Sequence, residues 1–154
     1  MARFIYRMQS ILNIKLKTED QARMEFGTAR HRLDLEYDRL EILQGRRQQY
    51  LEEGRGLQKD RLSVREIIDN REYVKRMDEQ IQQQKKIIEL AEKALEQARI
   101  KLREVMQERK MHEKLREKAF EEFVMEEKEA ESKEIDQRTS YTYGQKIQNA
   151  DHLN

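Results

Sequence analysis

The chain has 154 residues, 41 % of them charged and 36 % hydrophobic, with no Pro, no Cys and no Trp. A charged share so far above the usual figure of about 25 % excludes a thick globular core, and the lack of cysteine excludes disulfides and thiolate chemistry, as suits a reducing cytosol. The net charge of +1 creates no overall field for nucleic acid.

The charge is unevenly placed. Residues 1–18 carry Arg3, Arg7, Lys15 and Lys17 and no acid, whereas residues 121–136 carry eight acids against Lys128 and Lys133. The start of the chain lacks the apolar centre of a signal peptide, and no apolar run approaches the ~20 residues of a membrane span. The chain therefore reads as soluble and unexported.

A four-three spacing begins at once: Ile5, Met8, Leu12, Lys15, Glu19, Ala22, Phe26, Ala29, Leu33, Glu36, Leu40, Leu43, Arg47, Tyr50, Gly54 and Leu57. Eleven of these sixteen slots are apolar or aromatic. Such spacing averages 3.5 residues per turn and makes a narrow stripe that stays buried only if two helices wind round each other. Each strand then needs about two apolar residues in seven, which a chain this polar can supply. Sustained heptads and strong helix formers argue against disorder.

The frame ends near Gly54 and Gly56, two residues that loosen a helix. Ser63 with Glu66 three residues later forms a capping box, so the second helix is expected to start at residue 63. The second frame is the stronger one. It takes Val74, Met77, Ile81, Gln84, Ile88, Ala91, Leu95, Ala98, Leu102, Val105, Arg109 and His112, and nine of the twelve are apolar. These 39 residues span about 58 Å as a helix, too long for an ordinary globular domain.

Two long helices with a short connection pack antiparallel. The expected fold is all-α: a long two-helix antiparallel coiled-coil hairpin over residues 1–137, with helices at about 3–56 and 63–137 and the turn at about 54–62. With that turn, Leu12 faces His112, Leu40 faces Gln84 and Tyr50 faces Val74. The first helix runs out opposite residue 120, so residues from Glu121 onward have no partner in their own chain. Past Asp136 the pattern fails, and residues 138–154 read as a disordered tail.

Little in the chain points to chemistry. His112 and Glu113 begin an HExxH-like pattern, but Arg116 stands where the second histidine is needed, so no zinc site is expected. His31 and His152 are isolated. The carboxylates lie on solvated helix faces without a cleft to raise a pKa, so no catalytic residue, cofactor or metal is expected, and the protein is expected not to be an enzyme. Four polar slots, Lys15, Glu19, Arg109 and His112, fall close together on the seam. They cost stability but set register, and they also fit an end that opens for a partner. Tyr50 and Tyr73 meet beside the turn near Leu43 and Met77, either as seam filling or as a binding patch. Two further functional readings stand open: a self-associating scaffold, and a membrane-surface protein anchored by its basic first helix.

The run Arg3, Phe4, Ile5, Tyr6, Arg7, Met8, Gln9, Ser10, Ile11, Leu12, followed by Glu19 and Ala22, resembles the start of the FliJ family of the bacterial flagellar type III export apparatus. Tyr73, Val74, Met77, Ile81 and Gln84 resemble the start of that family's second helix. The resemblance covers about residues 3–125. It implies an antiparallel coiled-coil hairpin like the stalk of a rotary ATPase, acting as the central stalk of the hexameric export ATPase FliI. It also implies contact with the export gate protein FlhA and escort of substrate chaperones, without nucleic acid or small-molecule ligand. The gate contacts would be Leu43, Tyr50, Tyr73 and Met77. Arg46, Gln80 and Gln84 depart from the family's pattern there. The ATPase ring would be met at the free end by Phe4, Met8, Ile11, Ala119, Phe120 and Phe123. The expected location is cytoplasmic, held peripherally at the inner face of the cell membrane by the export apparatus, and the free protein is expected to be a monomeric hairpin.

Overall fold

The structure is a computed structural model that describes residues 2–59 and 64–152. Two helices make up almost all of it: α1, Gln9–Lys59, and α2, Val64–His152. The chain divides into two compact units, one of Met1–Leu16 with Gln107–Asn154 and one of Lys17–Met106. Both helices contribute to each unit.

In the unit Lys17–Met106 the cross-helix contacts run in opposite senses along the two helices. Glu25 meets Lys101, Glu36 meets Gln84, Arg47 meets Asp78 and Tyr50 meets Tyr73. In the other unit Phe4 meets Phe120, Gln9 meets Arg116 and Lys15 meets Glu108. Each unit is an antiparallel two-helix pair, and each contact falls within about one helical turn of the expected register. The fold is the two-helix antiparallel coiled-coil hairpin.

Among the described residues the buried ones are Leu12, Glu19, Ala22, Glu36, Ile81, Gln84, Ile88, Ala91 and Val105, and every one of them is a slot of the two heptad frames. A seam between two helices has no second layer, so burial is confined to the a and d positions. Its least expected feature is polar. Gln84 Nε2 donates to the Glu36 backbone carbonyl at 2.9 Å and to Glu36 Oε2 at 2.6 Å. Arg39, three residues on, donates to the other carboxylate oxygen at 2.9 Å. A carboxylate taken out of water is tolerable only with donors of this kind.

Three boundaries differ from the sequence reading. α1 begins at Gln9, not near residue 3, and residues 2–6 are not helical. The turn that opens α1 is held by Gln9 N–H donating to the Tyr6 carbonyl and by Ile11 and Leu12 N–H donating to that of Met8. In consequence Ile5, a slot of the first frame, is 79 % exposed, and Phe4 packs on α2 in its place. At the other end α1 continues through Gly54 and Gly56 to Lys59, because a glycine weakens a helix by only about 1 kcal/mol and tertiary packing outweighs that. The rest of the expected turn and the Ser63 cap lie outside the described residues; α2 is helical from Val64.

Finally, α2 does not stop near Gln137 but runs on to His152. No Pro interrupts it. Arg138 pairs with Glu134, and the hydroxyls of Thr139 and Thr142 donate back to the carbonyls four residues earlier. Residues 131–151 are all exposed, so the segment takes no part in the packed seam, as expected.

The buried Glu36–Gln84 pair yields a stability test. Gln84→Leu alone removes the seam donor and leaves part of a buried carboxylate unsatisfied, so it should destabilise the hairpin by about 1–3 kcal/mol. Adding Glu36→Leu should restore or exceed the starting stability, since apolar packing does as well as a buried polar pair. Thermal melts followed by circular dichroism read both variants, and a double variant less stable than the single one would refute this account.

Candidate functional site: two aromatic clusters and a polar layer

The residues assigned to the free end assemble within the unit of Met1–Leu16 and Gln107–Asn154. Because residues 2–6 leave the helix, the Phe4 ring can lie across α2. It stands 5.3 Å from Phe120, edge-on at 76°, and 5.4 Å from Phe123. The Arg116 guanidinium sits 5.6 Å from the centre of the Phe4 ring and donates to Gln9 Oε1 at 3.0 Å. One side chain thus holds the extended arm and the first turn of α1 together, through a cation–π contact and a hydrogen bond. Beside the cluster a shallow groove of about 440 Å³ is lined by Phe4, Tyr6, Ala119, Phe123 and Glu126, among others. Ile11 and Ala119 are half-buried and Met8 is exposed. The phenylalanines expected to stand open on an unpartnered helix are therefore partly covered by the chain's own N-terminal arm.

The second cluster lies in the unit Lys17–Met106. Tyr50 and Tyr73 stack with centroids 5.4 Å apart and planes 13° from parallel, and the Arg76 guanidinium lies 5.7 Å from the Tyr73 ring. Leu43 and Met77 are half-buried seam residues. Asn70 Nδ2 donates to the Tyr50 carbonyl at 2.9 Å, and its side chain passes so close to Gly54 that a Cβ there would collide with Oδ1. Gly54 is thus the residue that lets Asn70 reach across. A groove of about 240 Å³ opens next to it, walled by Leu51, Ile67 and Val74 and flanked by Arg55 and Arg71. Sequence alone did not single out Asn70; the signal available was a polar residue in the frame opposite a glycine slot.

Of the polar layer, Lys15, Arg109 and His112 belong to one unit and Glu19 to the other. Lys15 Nζ pairs at 2.8 Å with Glu108, which the frame did not include. That ammonium, by hydrogen bond and by charge, holds the Glu108 carboxyl below its usual range; burial opposes the shift and His112 adds to it. Arg109 donates to Glu113, and the buried Glu19 accepts from Arg23. Among the described residues no group of three His, Asp or Glu side chains is placed to hold a metal, and no helix is long and apolar enough to cross a membrane.

Three comparisons bear on this arrangement. The family model described as Flagellar FliJ protein matches residues 4–148. The chain is similar to the Flagellar FliJ protein of Bacillus subtilis (strain 168), with 28 % identity over 138 residues, 85 % of this chain and 89 % of that relative. It also resembles the solved structure of the YscO homolog CT670 from Chlamydia trachomatis, with a TM-score of 0.70 and 23 % identity, over 96 % of this chain and 99 % of that one. The last likeness is one of fold.

Two outcomes follow from this geometry. Gly54→Ala should bring none of the ~1 kcal/mol that alanine ordinarily adds to a helix, because Asn70 must give up its bond to Tyr50. In an Asn70→Ala background the same change should stabilise, and melting temperatures of the four proteins check it. The depressed Glu108 carboxyl contributes stability above its unfolded-state pKa and loses it as pH falls through the lower folded value. Wild type should therefore lose more stability than Lys15→Met between about pH 5 and pH 3, and added salt should shrink the difference.

Proposed function

The chain belongs to the FliJ family, a component of flagellar type III protein export, and from that premise we propose that it is the central stalk of the export ATPase ring and an adaptor to the export gate. The observation that carries the reading is the pair of partly exposed aromatic clusters, one in each unit, on a family match that spans residues 4–148. Aromatic and arginine side chains are the commonest anchors of protein interfaces, and both clusters join rings to a guanidinium.

In this reading Phe4, Met8, Ile11, Ala119, Phe120 and Phe123 meet the export ATPase FliI. Leu43, Tyr50, Tyr73 and Met77 meet the gate protein FlhA. Substrate chaperones are further partners, and the protein acts by binding, without catalysis of its own. It works at the cytoplasmic face of the membrane, held there by the export apparatus, and is a monomeric hairpin when free. Lys15, Glu19, Arg109 and His112 set the register of the seam. A two-helix seam suits a stalk because it transmits force along its length while leaving most of its surface to partners.

The two clusters should be separable by mutation. Phe120→Ala with Phe123→Ala is expected to weaken ATPase binding by about tenfold or more and to leave gate binding intact; Tyr50→Ala with Tyr73→Ala should do the reverse. Pull-down and calorimetry with each purified partner measure this, after circular dichroism has shown both variants to be helical. Equal loss of both interactions from either pair would exclude the two-site reading.

A further inference from the structure

Within the unit Lys17–Met106 the two flanks of the seam differ in chemistry. With each heptad lettered so that Leu33, Leu40, Ile81 and Ile88 are at a and Glu36, Leu43, Gln84 and Ala91 at d, positions g and c lie to one side of the seam and e and b to the other. The contacts show how the helices combine these sides. Glu25 and Lys101, both g, pair at 3.0 Å. Tyr37 and Glu92, both e, share a hydrogen bond. The g and c positions of both helices therefore form one broad face, and e and b form the other.

Over residues 28–49 and 76–97 the g/c face has no acid at any position. It exposes four aliphatic side chains: Leu35 at 44 %, Ile42 at 55 %, Ile87 at 41 % and Leu90 at 65 %. Its cations are Arg32, Arg39, Arg46 and Arg76, and its remaining residues are Gln, Thr and Ala. Over the same stretch the e/b face holds Asp34, Glu41, Asp78, Glu89, Glu92 and Glu96 against Arg30 and Lys85, with no aliphatic residue. Chance scatter of surface hydrophobics would not select one flank, nor clear it of acids.

We propose that the g/c face docks an acidic amphipathic helix of a partner protein, which lies along the seam as a third helix. Its apolar stripe covers Leu35, Ile42, Ile87 and Leu90, and its carboxylates meet the arginines, whose planar forks suit them. Arg39 already reaches the buried Glu36 with one nitrogen, so the remaining donors of its guanidinium serve the incoming chain. The partner is acidic because a basic helix would face four arginines with nothing to offset them. This surface includes no ring of either aromatic cluster and shares only Arg76 with the Tyr50–Tyr73 pair; its apolar residues Leu35, Ile42, Ile87 and Leu90 stand apart from the roles proposed for the clusters.

The probe is a labelled three-heptad designed peptide with Leu on one face and Glu and Gln on the other, compared with a twin carrying Lys for Glu. Both are titrated by fluorescence anisotropy against the full chain. The acidic peptide should bind in the range of about 10 μM, and its twin at least about tenfold more weakly. Leu35→Glu with Leu90→Glu should abolish binding. Arg32→Gln with Arg46→Gln should weaken it several-fold and flatten its dependence on salt. Glu41→Gln with Glu89→Gln, on the opposite face, should leave it unchanged. Circular dichroism verifies that each variant is helical. Absence of binding, equal binding of the two peptides, or binding untouched by the Leu35 and Leu90 changes would overturn the proposal. So would concentration-dependent dimers in sedimentation that these changes dissolve, since the occupant would then be a second copy of this chain.

Discussion

A stripe of apolar residues two deep in every seven is the constraint from which the rest of this protein follows. A chain with 41 % charged residues has no other way to bury side chains, and every buried residue among the described ones is a heptad slot. The same economy explains the polar seam. Glu36 and Gln84 occupy slots where aliphatic residues would pack better, and they survive because each satisfies the other and Arg39 completes the carboxylate. In a seam without a second layer, such a pair cannot slip by a heptad without stranding a charge, so it opposes sliding.

Aromatic residues take over where the aliphatic stripe thins. In one unit the N-terminal arm leaves the helix and lays Phe4 against Phe120 and Phe123, under Arg116. In the other, Tyr50 stacks on Tyr73 while Asn70 grips the Tyr50 carbonyl through the space left by Gly54. Large flat rings bury much area per residue in both clusters, while Tyr73 and Phe120 keep nearly half of their surface exposed. Membership of the FliJ family fits this architecture: two helices hold each other by a narrow seam and leave the rims of the clusters and the flanks exposed.

The grooves beside the two clusters are shallow and open, and the surface pairs with Glu92 and Lys15 raise the Tyr37 hydroxyl and lower the Glu108 carboxyl from their ordinary ranges. Surface pairs of this kind set register and charge pattern. In the unit Lys17–Met106 the two flanks differ in chemistry, one apolar and arginine-rimmed, the other acidic.

Heptad spacing, composition and the lack of proline determined the helical class and the identity of nearly every seam residue, because these depend on periodicity, and the short connection between the two frames determined the antiparallel pairing. The meeting of Tyr50 and Tyr73 was also legible, by their positions opposite one another beside the turn. What only the tertiary structure decided depends on competition between local preference and packing. Phe4 displaces Ile5 because an extended arm presents the larger ring to α2, and no periodic pattern encodes where a helix begins. α1 passes through Gly54 because packing, including the Asn70 bond to the Tyr50 carbonyl, outweighs the small cost of a glycine, and α2 continues beyond Gln137 with no Pro to interrupt it. The partner of Lys15 is Glu108, a residue off the seam, since a long ammonium side chain reaches past the buried stripe to the nearest exposed carboxylate. Spacing names the face a residue occupies; the reach of its side chain decides whom it meets.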